Sequence, residues 1–107
     1  MLLDKQADVN IQNVQGYTPL YIACHQGHKD IVKMLLDKQA DINIQDVEGC
    51  TPLNMACHMG HKDIVKMLLD KQAGVNIQDS TGFTPLSIEC HQGLKEVSEL
   101  LRQHGAI

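Results

Sequence analysis

The sequence predicts an all-α solenoid built from stacked helix-turn-helix units. Three observations predict it: a fixed repeat period, apolar residues at helical spacing, and proline and glycine at the helix ends. The triplet Thr-Pro-Leu begins at Thr18, Thr51 and Thr84, so it recurs every 33 residues without drift. Aligned on this period, residues 13–45 and 46–78 differ at only eight positions. A fixed period of this length is typical of units that bury their apolar faces against one another.

The unit 13–45 shows how its two helices are specified. Thr18 is a favourable N-cap, and Pro19 occupies the first helical position, where its missing N–H costs nothing. Gly27 ends this short helix because glycine adopts the left-handed conformation of a C-terminal cap. A second helix follows, with Asp30 in its first turn, where a carboxylate interacts favourably with the helix dipole. The unit therefore begins with two helices joined by a tight turn.

The second half of the unit combines an amphipathic helix with a projecting loop. The apolar residues of the second helix form a wide stripe; they are Ile31, Val32, Met34, Leu35 and Leu36. Residues 42–45 are too few for a helix, and Asp46 with Gly49 has the Asp-first, Gly-fourth pattern of a type I β-turn. Each unit is therefore predicted as helix, turn, helix and a hairpin-like loop.

This pattern resembles the ankyrin repeat family, whose units run roughly Asp-x-x-Gly-x-Thr-Pro-Leu-His-x-Ala, then Gly-His, Ile-Val-x-x-Leu-Leu and Gly-Ala-Asp-Val-Asn. The middle unit supplies the matching residues Asp46, Gly49, Thr51, Pro52, Leu53, Ala56, Gly60, His61, Ile64, Val65, Leu68, Leu69, Ala73, Val75 and Asn76. The resemblance covers essentially the whole chain and implies a single ankyrin-repeat domain over residues 1–107. Within it we expect a partial repeat at 1–12, repeats at 13–45 and 46–78, and a C-terminal capping repeat at 79–107.

Two departures from the family pattern bear on stability. Tyr21, Asn54 and Ser87 replace the histidine that follows Thr-Pro-Leu and that usually bonds the backbone in this family. Gln39 and Gln72 replace the family's glycine before alanine. The second departure should cost stability if this position takes a positive φ.

The third unit carries polar residues where a further neighbour would otherwise pack. Relative to the middle unit, Ala becomes Glu89, Val becomes Ser98 and Leu becomes Arg102. An unpaired charge held between two helices would cost several kcal/mol, so water is expected to reach this face. Residues 79–107 are therefore predicted to form a cap with a polar outer face, although repeat decay inside a longer array is the alternative.

The N-terminal end shows the opposite pattern. Met1 aligns with Met34 and Met67, in the middle of a second helix, so the sequence lacks the first helix of that repeat. The chain is therefore interpreted as the C-terminal piece of a longer array or as a truncated gene product. We expect incomplete cover on one side of the first full unit, at Leu20, Ile22, Ala23, Ile31 and Leu35.

Composition argues against several functional classes. The net charge of −4 and the pI near 5.8 argue against a nucleic-acid surface, which needs clustered Lys and Arg. No apolar run approaches the roughly 18–20 residues that span a bilayer, so membrane insertion is not expected. Cys24, Cys57 and Cys90 share one repeat position, too far apart in stacked helices for a disulfide. Free buried cysteines suit a reducing compartment, which predicts a cytoplasmic protein, with the nucleus as the alternative.

Adjacent cysteine and histidine residues are the main candidates for chemistry. Cys24-His25, Cys57-His58 and Cys90-His91 suggest a nucleophile and its base, but neighbours on a helix do not face each other. Zinc needs four convergent ligands, whereas each unit offers at most three and Gly27 or Gly60 turns the chain between them. The sequence therefore predicts no enzyme, no metal site and no cofactor.

Protein binding is the remaining function, with the identity of the partner unknown. The differing positions include Gln15/Glu48, Tyr17/Cys50, Tyr21/Asn54 and Gln26/Met59, in the loop and along the first helix, which the resemblance places on the partner-contacting hairpin tips and concave face. Drift at unconstrained surface sites would give a similar pattern. Tyr17, Cys50 and Phe83 share one position, and aromatic side chains there suggest interaction anchors. The predicted partner-binding residues are Val14, Gln15, Tyr17, Tyr21, His25, Gln26, Val47, Glu48, Cys50, Asn54, His58, Met59, Ser80, Thr81, Phe83, Ser87, His91 and Gln92.

Two other functions stay open: a structural spacer in a longer ankyrin array, and an accessory region of a larger enzyme. A monomer is expected, with weak self-association through the open N-terminal face as the alternative. Cys50 is expected to react readily with a thiol probe, while Cys24 and Cys57 stay protected. The resemblance also suggests hydroxylation of Asn10 or Asn43, against the alternative that each only stabilises its loop.

Overall fold

The chain folds as a row of helix pairs. The computed structural model describes residues 9–87 and 95–106. Within these ranges it contains five α-helices and no β-strand. The helices are α1 Pro19–Gln26, α2 Lys29–Asp37, α3 Pro52–Met59, α4 Lys62–Asp70 and α5 Lys95–Gln103. The predicted all-α fold is confirmed, whereas most of the first helix expected in the third unit falls on residues 88–94, outside the described residues.

The ends of the first helices follow the predicted chemistry. The hydroxyls of Thr18 and Thr51 each accept a hydrogen bond from the backbone N–H three residues further on, at 3.1 and 3.2 Å. Gly27 and Gly60 end α1 and α3 with φ of 78° and 75°. A Cβ on Gly27 would also lie only 2.9 Å from the ring of His61. Glycine is therefore required here both for the backbone conformation and for close packing of the next unit.

The helices form two layers around one apolar core. Helix α1 packs against α3 in the first layer, and α2, α4 and α5 follow one another in the second. The two layers share a single cluster of buried side chains, which includes Leu20, Cys24, Val32, Leu35, Leu53, Cys57, Ile64, Val65, Leu68, Leu69, Val97 and Leu101. Each unit therefore buries its apolar faces mainly against its neighbours, as a solenoid requires.

The outer surface of the second layer is charged and solvated. Lys29 Nζ lies 3.2 Å from the carboxylate of Asp63, and Lys62 Nζ lies 3.3 Å from that of Glu96. Both pairs join equivalent positions of adjacent units. Because all four side chains are exposed to water, each pair contributes at most about 1 kcal/mol. The pairs align the units more than they stabilise them.

The loops between units stack as hairpin-like turns. Gly49 N–H donates to Asp46 C=O at 2.9 Å, which confirms the predicted tight turn. The backbone N–H of Val47 donates to Gln15 C=O at 3.1 Å and so joins the second hairpin to the first. Ser80 N–H makes the equivalent bond to Glu48 C=O at 2.8 Å. The three hairpins therefore form one continuous edge.

A glutamine ladder reinforces that edge. Gln12 Nε2 donates to the carbonyl of Gly16 in its own hairpin and to that of Gln45 in the next unit, at 3.0 and 3.2 Å. Gln45 Nε2 repeats both bonds one unit later, to Gly49 and Gln78, at 2.9 and 3.1 Å. Because each glutamine reaches across the boundary between units, the ladder fixes the spacing of successive hairpins.

The glutamine positions that replace glycine do take the left-handed conformation. Gln39 has φ of 63° and Gln72 has φ of 65°. Gly105 occupies the same place in the third unit, with φ of 96°. Because a side chain is strained in this region, the family's glycine is the better fit at both glutamine positions.

The C-terminal end is polar where the middle unit is apolar. Ser98 is half-buried and Arg102 is exposed, whereas the equivalent Val65 and Leu69 are buried. That residues 79–107 form a cap stays a prediction. Glu89, the third substitution in that prediction, lies outside the described residues.

The predicted exposure of the N-terminal unit is confirmed only in part. Ile22 and Ile31 are exposed, while Leu20, Ala23 and Leu35 are buried, contrary to the expectation. These three side chains belong to the core cluster shared with α3 and α4, so the following unit covers them. Only the side chains that point away from that unit lack cover.

Candidate partner-binding surface

Apolar side chains project from all three hairpins. Val14 and Val47 occupy equivalent tip positions and are 97% and 71% exposed. Phe83, at the end of the third hairpin, is 52% exposed. Side chains this exposed contribute less to the fold by burial than core residues do. They leave apolar area open to solvent along the hairpin edge.

A pair of stacked tyrosines lies where the first hairpin meets α1. The rings of Tyr17 and Tyr21 lie 4.4 Å apart between centroids with an interplanar angle of 7°. They line a cavity of about 270 Å³ together with Ile22, His25 and Gln26. Aromatic walls beside an exposed aliphatic side chain and two polar groups suit the binding of one side chain from a partner.

Tyr21 links the first unit to the second. Its side chain is only 3% exposed, and it hydrogen-bonds the carboxylate of Asp46 at the start of the next hairpin. Burial first, and then the contact with Asp46, raise the pKa of the Tyr21 hydroxyl. The hydroxyl therefore stays protonated and serves as a donor, and the residue acts as an inter-unit contact.

Asn54 occupies the equivalent position in the second unit but finds no such partner. It is 1% exposed, and within the described part of the chain neither its Nδ2 nor its Oδ1 has a hydrogen-bond partner. Its side chain is shorter than that of Tyr21, and Asp79 is engaged instead by the Thr81 hydroxyl at 2.6 Å. A buried amide without partners costs roughly 1–3 kcal/mol, so this position is a weak point of the scaffold.

The third hairpin is organised by Asp79. Besides the Thr81 hydroxyl, its Oδ1 accepts backbone N–H bonds from Thr81 and Phe83 at 2.8 and 3.0 Å. These bonds, the hydroxyl bond foremost, lower the pKa of the Asp79 carboxyl. The ionised carboxylate thus holds the turn that presents Phe83.

Cys50 lies half-buried between the second and third hairpins. Burial, and then the negative charges of Asp46, Asp79 and Glu48, raise the pKa of its thiol to about 11. This raised pKa argues against the expected ready reaction with a thiol probe, because only the thiolate reacts and little of it forms at neutral pH. Cys24 is buried as expected, and burial raises the pKa of its thiol to about 12.

The neighbouring cysteine and histidine residues point apart, as helical geometry predicts. Cys24 is buried in the core while His25 is exposed, and Cys57 is buried while His58 is half-buried. Histidine does form one inter-unit contact: His61 Nε2 lies 3.2 Å from the carbonyl oxygen of His25. Within residues 9–87 and 95–106, no group of three His, Cys, Asp or Glu side chains could hold a metal ion.

The loop asparagines have structural partners. Asn10 Oδ1 accepts the backbone N–H of Asp41 at 2.8 Å, and Asn43 Oδ1 accepts that of Gly74 at 2.9 Å. Each asparagine therefore bridges its loop to the following unit. These bonds agree with the alternative in which Asn10 and Asn43 stabilise their loops.

Comparison with known protein families identifies the fold family. The family model described as ankyrin repeats (3 copies) matches residues 1–79 and 40–107. The chain belongs to the ankyrin repeat family. None of the curated proteins compared with it matches.

Membership of the ankyrin repeat family sets the general expectation for function. Ankyrin repeats generally mediate protein–protein interactions, and the family is typically non-catalytic. Within the described ranges, no helix of this ankyrin-repeat chain is long and apolar enough to cross a membrane.

Most of the predicted partner-binding residues of this ankyrin-repeat chain lie at its surface. The exposed ones are Val14, Gln15, His25, Gln26, Val47, Glu48, Ser80, Thr81, Phe83 and Ser87, and the half-buried ones are Tyr17, Cys50, His58 and Met59. Tyr21 and Asn54 are buried instead, and Tyr21 contacts Asp46 of the adjoining hairpin. His91 and Gln92 lie outside the described residues.

Ile22 is the surface residue that the predicted set lacks. It is exposed and lines the cavity beside the tyrosines. The sequence predicted incomplete cover for Ile22 but did not include it among the partner-binding residues, although it is one of the eight positions at which the two full units differ. That difference between the two units is the sequence signal that could have marked Ile22 as a surface position.

Proposed function

We propose that this ankyrin-repeat chain is a non-catalytic module that binds another protein through its contact stripe. The contact stripe comprises the three hairpin tips and the exposed side of α1 and α3. The observation that carries the proposal is the row of exposed apolar side chains on successive hairpins, Val14, Val47 and Phe83. Hydrogen bonds between hairpins hold this row in a fixed geometry, so binding would cost little conformational entropy.

The distribution of sequence differences supports the same surface. Helices α2 and α4 have identical sequences, Lys-Asp-Ile-Val-Lys-Met-Leu-Leu-Asp. The two full units differ instead in the hairpins, in the first helices and in the residues just before the next hairpin. A constant scaffold with a varied edge is expected if the edge makes different contacts in each unit.

The experiment is affinity capture of a partner, followed by measurement of its Kd with stripe variants. Phe83→Ala should weaken binding by about 1–3 kcal/mol, because a few residues contribute most of the energy of an interface, and Val47→Ala should weaken it by a smaller amount. Lys66→Ala and Glu99→Ala, on the outer surface of the second layer, are the matched controls and should leave the Kd unchanged. Circular dichroism should show the same helicity for all four variants.

Two results would contradict the proposal. An affinity that is unchanged by both stripe substitutions would place recognition elsewhere and favour a structural spacer. The glutamine ladder between units would suit a spacer, because it fixes the distance between successive hairpins. Affinity that falls equally in the control variants would point to a general surface effect.

We also infer a cytoplasmic location. The support is the pair of buried cysteines Cys24 and Cys57, neither of which forms a disulfide, as suits a reducing compartment. A fluorescent fusion found only in a secretory compartment would contradict this inference.

A further inference from the structure

We propose that the cavity beside the Tyr17 and Tyr21 rings is a pocket for an arginine side chain of the partner protein. This inference rests on the proposed function of the contact stripe and adds the chemistry of the occupant. It goes beyond the family's general role, because it follows from the stacked pair Tyr17 and Tyr21, which only the first unit carries at these positions.

The walls of the pocket match the two parts of an arginine side chain. Its volume of about 270 Å³ is large enough to accept one long side chain. The stacked tyrosines offer an aromatic face to a guanidinium group. Ile22 offers an apolar surface to the methylene stem, and the side-chain carbonyl of Gln26 can accept a hydrogen bond.

Charge is segregated between the two layers of the solenoid. Among the described residues, every Lys and Arg lies within 29–38, 62–71 or 95–102, on the second helices and their ends. The hairpins and first helices carry carboxylates and no Lys or Arg. A cation approaching the contact stripe therefore meets no competing or repelling positive side chain from Lys or Arg.

Carboxylates also lie next to the pocket. Asp46 hydrogen-bonds Tyr21 directly, and its negative charge faces the tyrosine that forms the wall. Glu48 is exposed on the second hairpin, which is bonded to the first through Val47 N–H and Gln15 C=O at 3.1 Å. A guanidinium group in the pocket would therefore be attracted by the negative charges of Asp46 and of the exposed Glu48.

Arginine fits these features better than the alternatives. A lysine ammonium is compact and strongly hydrated, and it lacks the planar group that stacks on an aromatic ring. An apolar side chain would use Ile22 and the rings but gain nothing from Asp46 or Glu48. A phosphate or carboxylate would be repelled by those same charges.

The direct test is an NMR titration of the chain with N-acetyl-arginine amide. We expect shift changes confined to Tyr17, Tyr21, Ile22, His25 and Gln26, with weak binding that added NaCl reduces. N-acetyl-lysine amide should perturb them less, and N-acetyl-leucine amide should not show the salt dependence. Absence of localised shifts, or equal salt-independent shifts with the leucine probe, would overturn the pocket.

Variants separate the two parts of the recognition. Tyr17→Leu keeps an apolar wall but removes the aromatic face, and it should weaken arginine-probe binding about two- to fivefold. Glu48→Gln removes the free charge without changing shape and should weaken binding and its salt dependence together. Glu99→Gln, on the opposite layer, is the matched control. If Glu48→Gln and Glu99→Gln behave alike, the electrostatic argument is wrong.

A selection of displayed random peptides distinguishes failure of the pocket from failure of the proposed function. Some selected peptides should bind the Phe83→Ala variant more weakly than the original chain. If such a peptide contains an arginine, and replacing that arginine by alanine lowers its affinity at least fivefold, the result supports both the pocket and the proposed function. Stripe-dependent peptides without a required arginine would refute the pocket and keep the function. No stripe-dependent peptide at all would count against the function, while the arginine titration still decides the pocket.

Discussion

The identical helices α2 and α4 allow a direct measurement of how much a neighbouring unit stabilises the next. Ile31 and Ile64 occupy the same position of the same nine-residue helix sequence, yet Ile31 is 41% exposed and Ile64 is 1% exposed. Ile31→Ala and Ile64→Ala remove the same atoms from the same local sequence. Helix propensity and effects on the unfolded chain should therefore largely cancel between the two variants.

The expected magnitudes follow from the exposures. Truncation to alanine removes three carbons, worth roughly 0.8 kcal/mol each when fully buried. For Ile64 the cavity left in a closed core adds to this, so we expect a loss of about 3–4 kcal/mol. For Ile31 water fills the space and only part of the side chain was covered, so the loss should be about 1.4 kcal/mol. The difference between the variants should be about 2 kcal/mol.

Urea unfolding followed by circular dichroism measures both losses, at two protein concentrations to detect association. Hydrogen exchange provides an independent reading: amides in residues 19–37 should exchange faster than those in 52–70. Adding one upstream repeat with a polar outer face should raise the melting temperature and slow exchange in residues 19–37.

Equal losses for the two variants, or equal exchange in the two units, would refute the reasoning. Ile31 would then be covered in solution. Dependence of the result on protein concentration would identify a second copy of the chain as the cover.

Three further predictions concern single positions. Gln39→Gly and Gln72→Gly should each raise the free energy of unfolding by about 0.5 kcal/mol, because relief of about 1 kcal/mol of left-handed strain exceeds the added entropy of the unfolded chain. Thermal melts measure this gain. An equal gain from Gln39→Ala would contradict the explanation. Asn54→Leu should stabilise the chain by about 1–3 kcal/mol in urea unfolding by removing a buried amide without partners, and destabilisation would show that the amide is satisfied. Alkylation of Cys50 should be slow at neutral pH, and its rate should rise about tenfold per pH unit towards about pH 11, because only the thiolate reacts. A rate independent of pH between 7 and 9 would contradict this. Cys24 should stay unreactive until the chain unfolds.

The repeat architecture could be predicted from the sequence because its signals are local. A Thr-Pro pair starts a helix through bonds within one turn, and Gly27 ends it through its own backbone conformation. The Asp46 turn likewise needs only four consecutive residues. The fixed 33-residue period then determines that these elements stack. The left-handed conformation at Gln39 could be anticipated only because the family has glycine there.

The tertiary structure alone decided which side chains of the candidate surface are accessible. Tyr21 and Asn54 were expected on the surface, but both are buried. Tyr21 hydrogen-bonds Asp46 of the next hairpin, whereas the Asn54 amide has no partner within the described residues. Ile31 and Ile64 have identical neighbours in sequence and different exposures. Burial in a solenoid is determined by the adjoining unit, so the sequence of one unit could specify its helices but not which of its side chains remain uncovered.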